Sequence, residues 1–330
     1  MADDAKDLPT LFSPQTLQRK GLCRVTKVRG QEDSLHLHSL YYEVHGSGPE
    51  HLVFVMGLNS SSFAWIAQVE HFSKNPKYSI LVFDNRGVGN STTPRGPYST
   101  RGMADDIVVL LDLIGWTEQR SIHIIGVSLG GMVSQELATV IPERIISLTL
   151  GVTTPGGYFW QNLFDTPFEG TKRLARLTFT TDPAQKINII LPMVYTIPWL
   201  ESPSEEDPSK TNKEVQSAMY LRRIEVTRPQ QLIGHLSQMA SALTHRVTPD
   251  RLRMISKSIP KVLIITGDQD HLVRPSNSLR LKKEMPEAEY IQWKDCGHVI
   301  HGQYQSRFND LLERIFAEGR AKLVGTDVTH

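Results

Sequence analysis

The first half of the chain alternates between two hydrophobic periods. Leu40-Tyr41-Tyr42-Glu43-Val44-His45-Gly46 reads as a strand closing on a turn glycine. His51 to Gly57 is nearly continuous apolar sequence, as expected of a strand covered on both faces. Helical spacing follows over Ser61–Asn75, with Phe63, Ile66, Val69 and Phe72 on one side. The same alternation repeats: a strand at Ser79–Phe83, a helix over Met103–Leu113, a strand at Ser121–Ile125, a helix over Gly130–Val140 stopped by Pro142, and a strand at Ile145–Val152. Continuous apolar strands alternating with helices predict a mostly parallel sheet flanked by helices. The pattern breaks at Pro155. From Gly156 to about Ser258 no buried-strand signal occurs, and helical segments are predicted around Gly170–Thr180, Glu214–Val226 and Gln230–Thr244. Strand pattern resumes at Lys261–Ile265, passes through a helix at Ser276–Glu284 to a last strand at Glu289–Trp293, and ends in an amphipathic helix over Gln303–Glu318. The expected organisation is a core in two parts, 1–155 and 259–330, interrupted by a helical insertion over 156–258.

Length agrees with this division, since 330 residues at about 150 per domain allow two domains or one large domain carrying an insertion. The 36 Lys+Arg and 35 Asp+Glu leave a formal net charge of +1. That balance lacks the basic excess of a nucleic-acid or anionic-membrane binder. The two cysteines, Cys23 and Cys296, exclude a disulfide scaffold and a multi-cysteine metal site, and both are expected to be free thiols. The acidic Met1–Asp7 has no apolar core of a secretory signal, and the apolar stretch Ile187–Leu200 is broken by Pro192 and Pro198 and too short to span a bilayer. A cytoplasmic protein without a transmembrane segment, monomeric or homodimeric, acting on a small molecule with no metal or cofactor is the resulting expectation.

The chemistry concentrates in Gly126-Val127-Ser128-Leu129-Gly130, followed by Gly131. This G-x-S-x-G lies between a predicted buried strand and a predicted helix, the setting in which a tight turn lifts a serine hydroxyl above a sheet. Serine at its ordinary pKa is a poor nucleophile and needs an oriented base. Of the 12 histidines, His298 follows Gly297 in the loop after the last predicted strand, where strand carboxyl ends gather; His301 competes three residues later. The carboxylate is expected after the preceding strand, in Thr266-Gly267-Asp268-Gln269-Asp270. Asp270 is far enough past the turn to face His298, Asp268 is expected to shape the turn, and His271 follows the acid too closely to face it. Gly151–Phe164 holds no Asp or Glu that would serve instead.

In this order, these residues resemble the α/β-hydrolase fold family over most of 35–155 and 255–318. Asp84-Asn85-Arg86-Gly87-Val88-Gly89-Asn90-Ser91 resembles the family's D-x-R-G-x-G-x-S segment, and Met56-Gly57-Leu58 stands where many members carry His-Gly. The resemblance implies a cap inserted between the sixth and seventh core strands, an oxyanion hole from the backbone N–H groups of Leu58 and Leu129, and loop-bracing roles for Asp84 and Arg86. Ser128 at the elbow sets the chain apart from members with an aspartate nucleophile. The reading is a serine hydrolase, a carboxylic ester hydrolase first of all, cleaving a small-to-medium apolar ester, lactone or thioester through an acyl-enzyme. Acyl transfer or cyclisation on the same triad, and a receptor-like binding protein, are the alternatives. The cap segment carries Tyr158, Phe159, Trp160, Phe164, Phe168, Tyr195 and Trp199. Among these, Trp160, Tyr195 and Trp199, with Met56 below them, are the candidate substrate contacts.

Overall fold

The structure is a computed structural model that describes residues 8–25, 27–28, 31–32, 37–165 and 167–326; Met1–Asp7 and the Phe168 side chain lie outside the described residues. Beta strands β1 (Leu17–Val25), β4 (His38–His45), β5 (Glu50–Val55), β6 (Tyr78–Phe83), β7 (Ile122–Val127), β8 (Ile145–Gly151), β9 (Lys261–Gly267) and β10 (Glu289–Trp293) form one sheet. A two-residue ribbon, β2 (Lys27–Val28) with β3 (Gln31–Glu32), stands apart from it. The sheet order is β1-β4-β6-β5-β7-β8-β9-β10. It is parallel from β6 to β10, while β4 runs antiparallel to both β1 and β6. This is the mostly parallel sheet that the continuous apolar runs predict.

Alternation along each central strand divides the core into two layers. Val53 and Val55 of β5 and Val262 and Ile264 of β9 face α2 (Thr100–Ile114), α3 (Leu129–Ala138), α10 (Pro249–Ser258) and α11 (Pro275–Glu284) through Ile107, Val133, Ile255 and Leu281. Leu52 and Phe54, with Leu263 and Ile265, face α1 (Ile66–Phe72) and α13 (Gln305–Thr326) through Phe72, Phe308, Leu312 and Phe316. Both faces are thus covered, so the strands carry no polar alternation.

Between β8 and β9 the described chain is helical: α4 (Phe159–Asp165), α5 (Phe168–Phe179), α6 (Pro183–Val194), α7 (Ile197–Glu201), α8 (Asn212–Glu225), α9 (Leu232–Leu243) and then α10. Pro183 and Pro192 fall at the start and inside of α6, which carries most of the apolar stretch that reads as interrupted in the sequence. A small cluster of Ile187, Leu191, Met193, Val194, Tyr195 and Leu200 unites α6 to α8. The last helix differs from the others. Leu252 and Ile255 of α10 belong to the core layer with α3 and α11. No helix among the described residues is long and apolar enough to cross a membrane.

Several ionisable groups pay for their burial in altered protonation. Burial pushes His245 and His301 down to about 3, and lifts Asp84 to about 6 against two backbone hydrogen bonds. Between about pH 4 and 6 the unfolded chain binds two histidine protons that the folded chain refuses, and the folded chain binds one carboxyl proton that the unfolded chain releases. For these three groups the net proton favours unfolding, and His51, His123 and His235, which burial also lowers, act in the same sense, so stability should fall on acidification through this window. Urea unfolding at neutral and mildly acidic pH checks this, and a midpoint that rises on acidification contradicts it. Ile264, fully buried in β9, should cost about 2–5 kcal/mol when truncated to alanine, read by the same denaturation.

Candidate active site

Ser128 occupies the junction of β7 and α3 with φ 55° and ψ −123°, a backbone conformation that side-chain-bearing residues rarely adopt. Holding it there costs about 1–3 kcal/mol, which the surrounding contacts must offset. Its N–H donates to Gly151 O at 2.9 Å, continuing the β7–β8 ladder. Its carbonyl accepts from Thr153 Oγ1 at 2.7 Å and from Met132 N at 3.1 Å. The flanking glycines are sterically required. A Cβ on Gly130 would overlap the Val55 carbonyl and come 2.8 Å from Met56 O, one on Gly126 would come 2.8 Å from Gly130 C, and one on Gly131 would come 2.7 Å from Thr153 Cβ. The β5–α1 loop closes on the serine from the other side, since a Cβ on Gly57 would stand 3.0 Å from Ser128 Cβ and 3.6 Å from its Oγ. Leu58 follows Gly57 directly in the chain, and Leu129 follows Ser128 as the first residue of α3.

His298 and Asp270 come together. His298 Nδ1 lies 2.7 Å from Asp270 Oδ2, with both residues buried. The other carboxylate oxygen, Asp270 Oδ1, accepts from Leu272 N at 2.8 Å and Val273 N at 2.9 Å. A carboxylate that can only accept places the imidazole proton on Nδ1 and leaves the Nε2 lone pair free. Polar residues that no sequence pattern marks hold the two loops. Gln303 accepts from Gly297 N at 2.9 Å and donates to Asp295 O at 2.7 Å, and Val299 N donates to Val194 O of the helical segment at 3.0 Å. Asp268 Oδ1 accepts from Cys296 N at 3.1 Å, a bond to the His298 loop.

The competing residues take other places. His301 is buried with its ring 4.4 Å from Trp65, and burial holds it neutral. His271 is exposed. Asp84 accepts from Ser62 N at 2.6 Å and Asn90 N at 2.7 Å, and Arg86 forms a bidentate pair with Asp106 at 2.7 and 2.6 Å. Both brace the loops, and between them Asn85 Nδ2 donates to Met56 O at 3.0 Å. Cys23 and Cys296 are free and buried, with their thiols pushed up to about 12 by burial.

The four candidate substrate contacts separate. Met56 is buried in the core layer that includes Trp65, Val127 and Val152. Tyr195 abuts the His298 loop: a Cβ on Gly297 would come 3.1 Å from its Cα, and one on Gly302 would come 2.9 Å from its hydroxyl. That hydroxyl donates to Gln216 Oε1 at 3.0 Å, and the ring stacks on Trp199 at 4.8 Å. Trp160 is 61% exposed and faces an open depression of about 500 Å³ lined also by Gln161, Phe164 and Arg280, which includes none of Ser128, Asp270 and His298. Among the described residues no group of three His, Cys, Asp or Glu could hold a metal ion.

Comparison with known proteins agrees with this architecture. A Caulobacter segnis chain assigned as the carbamate hydrolase RutD is 27% identical over 285 residues, covering 84% of this chain and 96% of its own. The rhodomycin D methylesterase DnrP of Streptomyces peucetius is 24% identical, covering 76% and 85%. The meta-cleavage product hydrolase CumD of Pseudomonas fluorescens IP01 shares the fold at a TM-score of 0.68 and 20% identity, over 92% of this chain and 98% of that one. The family model for the alpha/beta hydrolase fold matches residues 50–303, and the chain belongs to that family.

Proposed function

We propose that the protein is a serine hydrolase in which Ser128 is the nucleophile, His298 the general base and acid, and Asp270 the carboxylate that orients the imidazole. The observation that carries this reading is the 2.7 Å His298 Nδ1–Asp270 contact between two buried side chains, in a chain whose only G-x-S-x-G serine has a left-handed backbone at a strand–helix junction. In the proposed cycle His298 Nε2 takes the Ser128 hydroxyl proton as Oγ attacks a substrate carbonyl. The tetrahedral oxyanion is met by the N–H groups of Leu58 and Leu129, the second reinforced by the N-terminus of α3. His298 then protonates the leaving group, and the acyl group remains on Ser128. Water enters, gives its proton to His298, and attacks the acyl carbonyl; collapse returns the proton to Ser128 and frees the acid.

Residues 156–258 are proposed as the cap, with α10 seated on the core. The substrate is proposed to be a small-to-medium apolar ester, lactone or thioester. Its support is the uncharged Tyr195, stacked on Trp199 beside the His298 loop, and the near-zero net charge. The related proteins named as a carbamate hydrolase and a methylesterase act by their names on acyl substrates, in line with this class.

Replacing Ser128 by alanine should abolish hydrolysis of short p-nitrophenyl esters and labelling by a fluorophosphonate. Labelling of the variant at the wild-type rate contradicts the assignment. Asp270→Asn should lower kcat by about 10³–10⁴ through loss of the correct imidazole tautomer, with KM little changed. Steady-state kinetics on the same ester reads it, and an unaltered kcat contradicts the role of Asp270.

A further inference from the structure

Outside the triad, a chain of hydrogen bonds joins the Met56–Asn59 loop to α9. Asn59 directly follows Leu58 and has a left-handed backbone, φ 56°, a conformation that asparagine tolerates better than most side chains. Its N–H donates to Gln238 Oε1 at 2.9 Å, its Nδ2 contacts His235 Nδ1 at 2.6 Å, and its Oδ1 accepts from Gln230 Nε2 at 2.9 Å. All three partners lie in α9 or just before it. Gln230 and Gln238 also donate to the carbonyls of Gly87 and Arg86, at 3.0 and 2.8 Å, so the same amides grip the loop after β6. Packing forbids sliding at this contact, because a Cβ on Gly234 of α9 would come 2.6 Å from Gly87 O.

The proton positions follow one from another. The Thr178 hydroxyl donates to Leu174 O at 3.0 Å, so toward His235 Nε2, 2.9 Å away, it accepts. His235 therefore carries its proton on Nε2 and presents the Nδ1 lone pair to Asn59 Nδ2. Asn59 Oδ1 is then the acceptor for Gln230. Reversing any one of these groups sets two donors or two acceptors against each other, so the network has a single complete arrangement.

We infer that His235 is a positioning residue for the oxyanion hole, acting through Asn59 on the backbone N–H of Leu58; the inference rests on the triad reading above. Leu58 lies between two fixed points. Gly57 on one side is pressed against Ser128, and Asn59 on the other is held by His235, Gln238 and Gln230. Only one residue separates the anchors, so releasing Asn59 frees the Leu58 peptide to turn. A donor aimed at a developing oxyanion acts more strongly on the transition state than on the bound ester, so its misalignment lowers kcat and spares KM.

Two conservative variants test this in the full-length chain. In His235→Asn, Oδ1 stands where Nδ1 stood and still accepts from Asn59. In His235→Gln, the amide reaches toward Thr178 and offers Asn59 nothing at the δ position. With p-nitrophenyl butyrate, His235→Gln should lose about 10–100-fold in kcat with KM within about twofold, and His235→Asn should stay within about threefold of wild type. Hydrogen exchange of the peptide covering residues 56–61 should quicken in His235→Gln and not in His235→Asn. Equal kcat in the two variants, or a loss confined to KM, overturns the inference while leaving Ser128 as nucleophile. A wild-type chain that hydrolyses the ester without fluorophosphonate labelling at Ser128 overturns the triad reading, and the positioning role with it.

Discussion

The close approach of the Ser128 turn to the end of β5 is the constraint on which the rest of the site depends. The first turn of α3 lies so near Val55 and Met56 that position 130 has no room for a side chain, and Gly57 returns the contact against Ser128 itself. Backbone against backbone at that range is rigid, because nothing between the two segments can change rotamer. A serine in a strained conformation keeps it only where its neighbours over-determine it. Here the ladder bond to Gly151, the Thr153 hydroxyl on the Ser128 carbonyl and the three flanking glycines do so together.

Two loops that follow β9 and β10 meet each other at a second place. β9 and β10 are parallel neighbours, so the loops that follow them leave the same edge of the sheet and bring Asp270 to His298. The two loops are tied to each other by Asp268 Oδ1, which accepts from Cys296 N, and by Gln269 N, which donates to Cys296 O; Gln303 braces the His298 loop from within, and the Val299–Val194 bond ties that loop to the helical segment. Tyr195 seals the same contact from above, its hydroxyl held by Gln216. The helical segment is thus joined to the His298 loop, to the loop that follows β5 and to the loop that follows β6, among other contacts with the core. Rigidity at these contacts is consistent with catalysis by positioning, in which fixed dipoles need no rearrangement as charge develops.

Much of this was legible in the sequence because it is carried by local pattern. Strands buried on both faces write themselves as continuous apolar runs, and β5, β6, β7, β8 and β9 stand where those runs fall. The elbow glycines and the meeting of Asp270 with His298 follow patterns that lie close to strand ends, where the sequence can be read. Other features left no such trace. Strand β1 is interrupted by Arg19, Lys20 and Arg24, since it lies at the sheet edge and buries only part of its length. Helix α6 contains Pro192, which reads as a break and is accommodated where packing by Ile187, Leu191 and Met193 outweighs the lost hydrogen bond. Gln303, Thr153 and the Asn59–His235 contact are single polar residues whose partners are set by tertiary structure, in the last case 176 positions apart. Trp160 illustrates the converse: an aromatic in the right segment that the fold turns toward solvent.

Trapping the covalent intermediate tests the central claim most directly. Wild-type protein mixed with a p-nitrophenyl ester, acid-quenched within the first turnover and mapped by peptide mass spectrometry, is expected to carry the acyl group on the peptide containing Ser128, at a level that decays as substrate is consumed. Turnover with no acyl group on any residue, or an acyl group on a residue other than Ser128, contradicts the account.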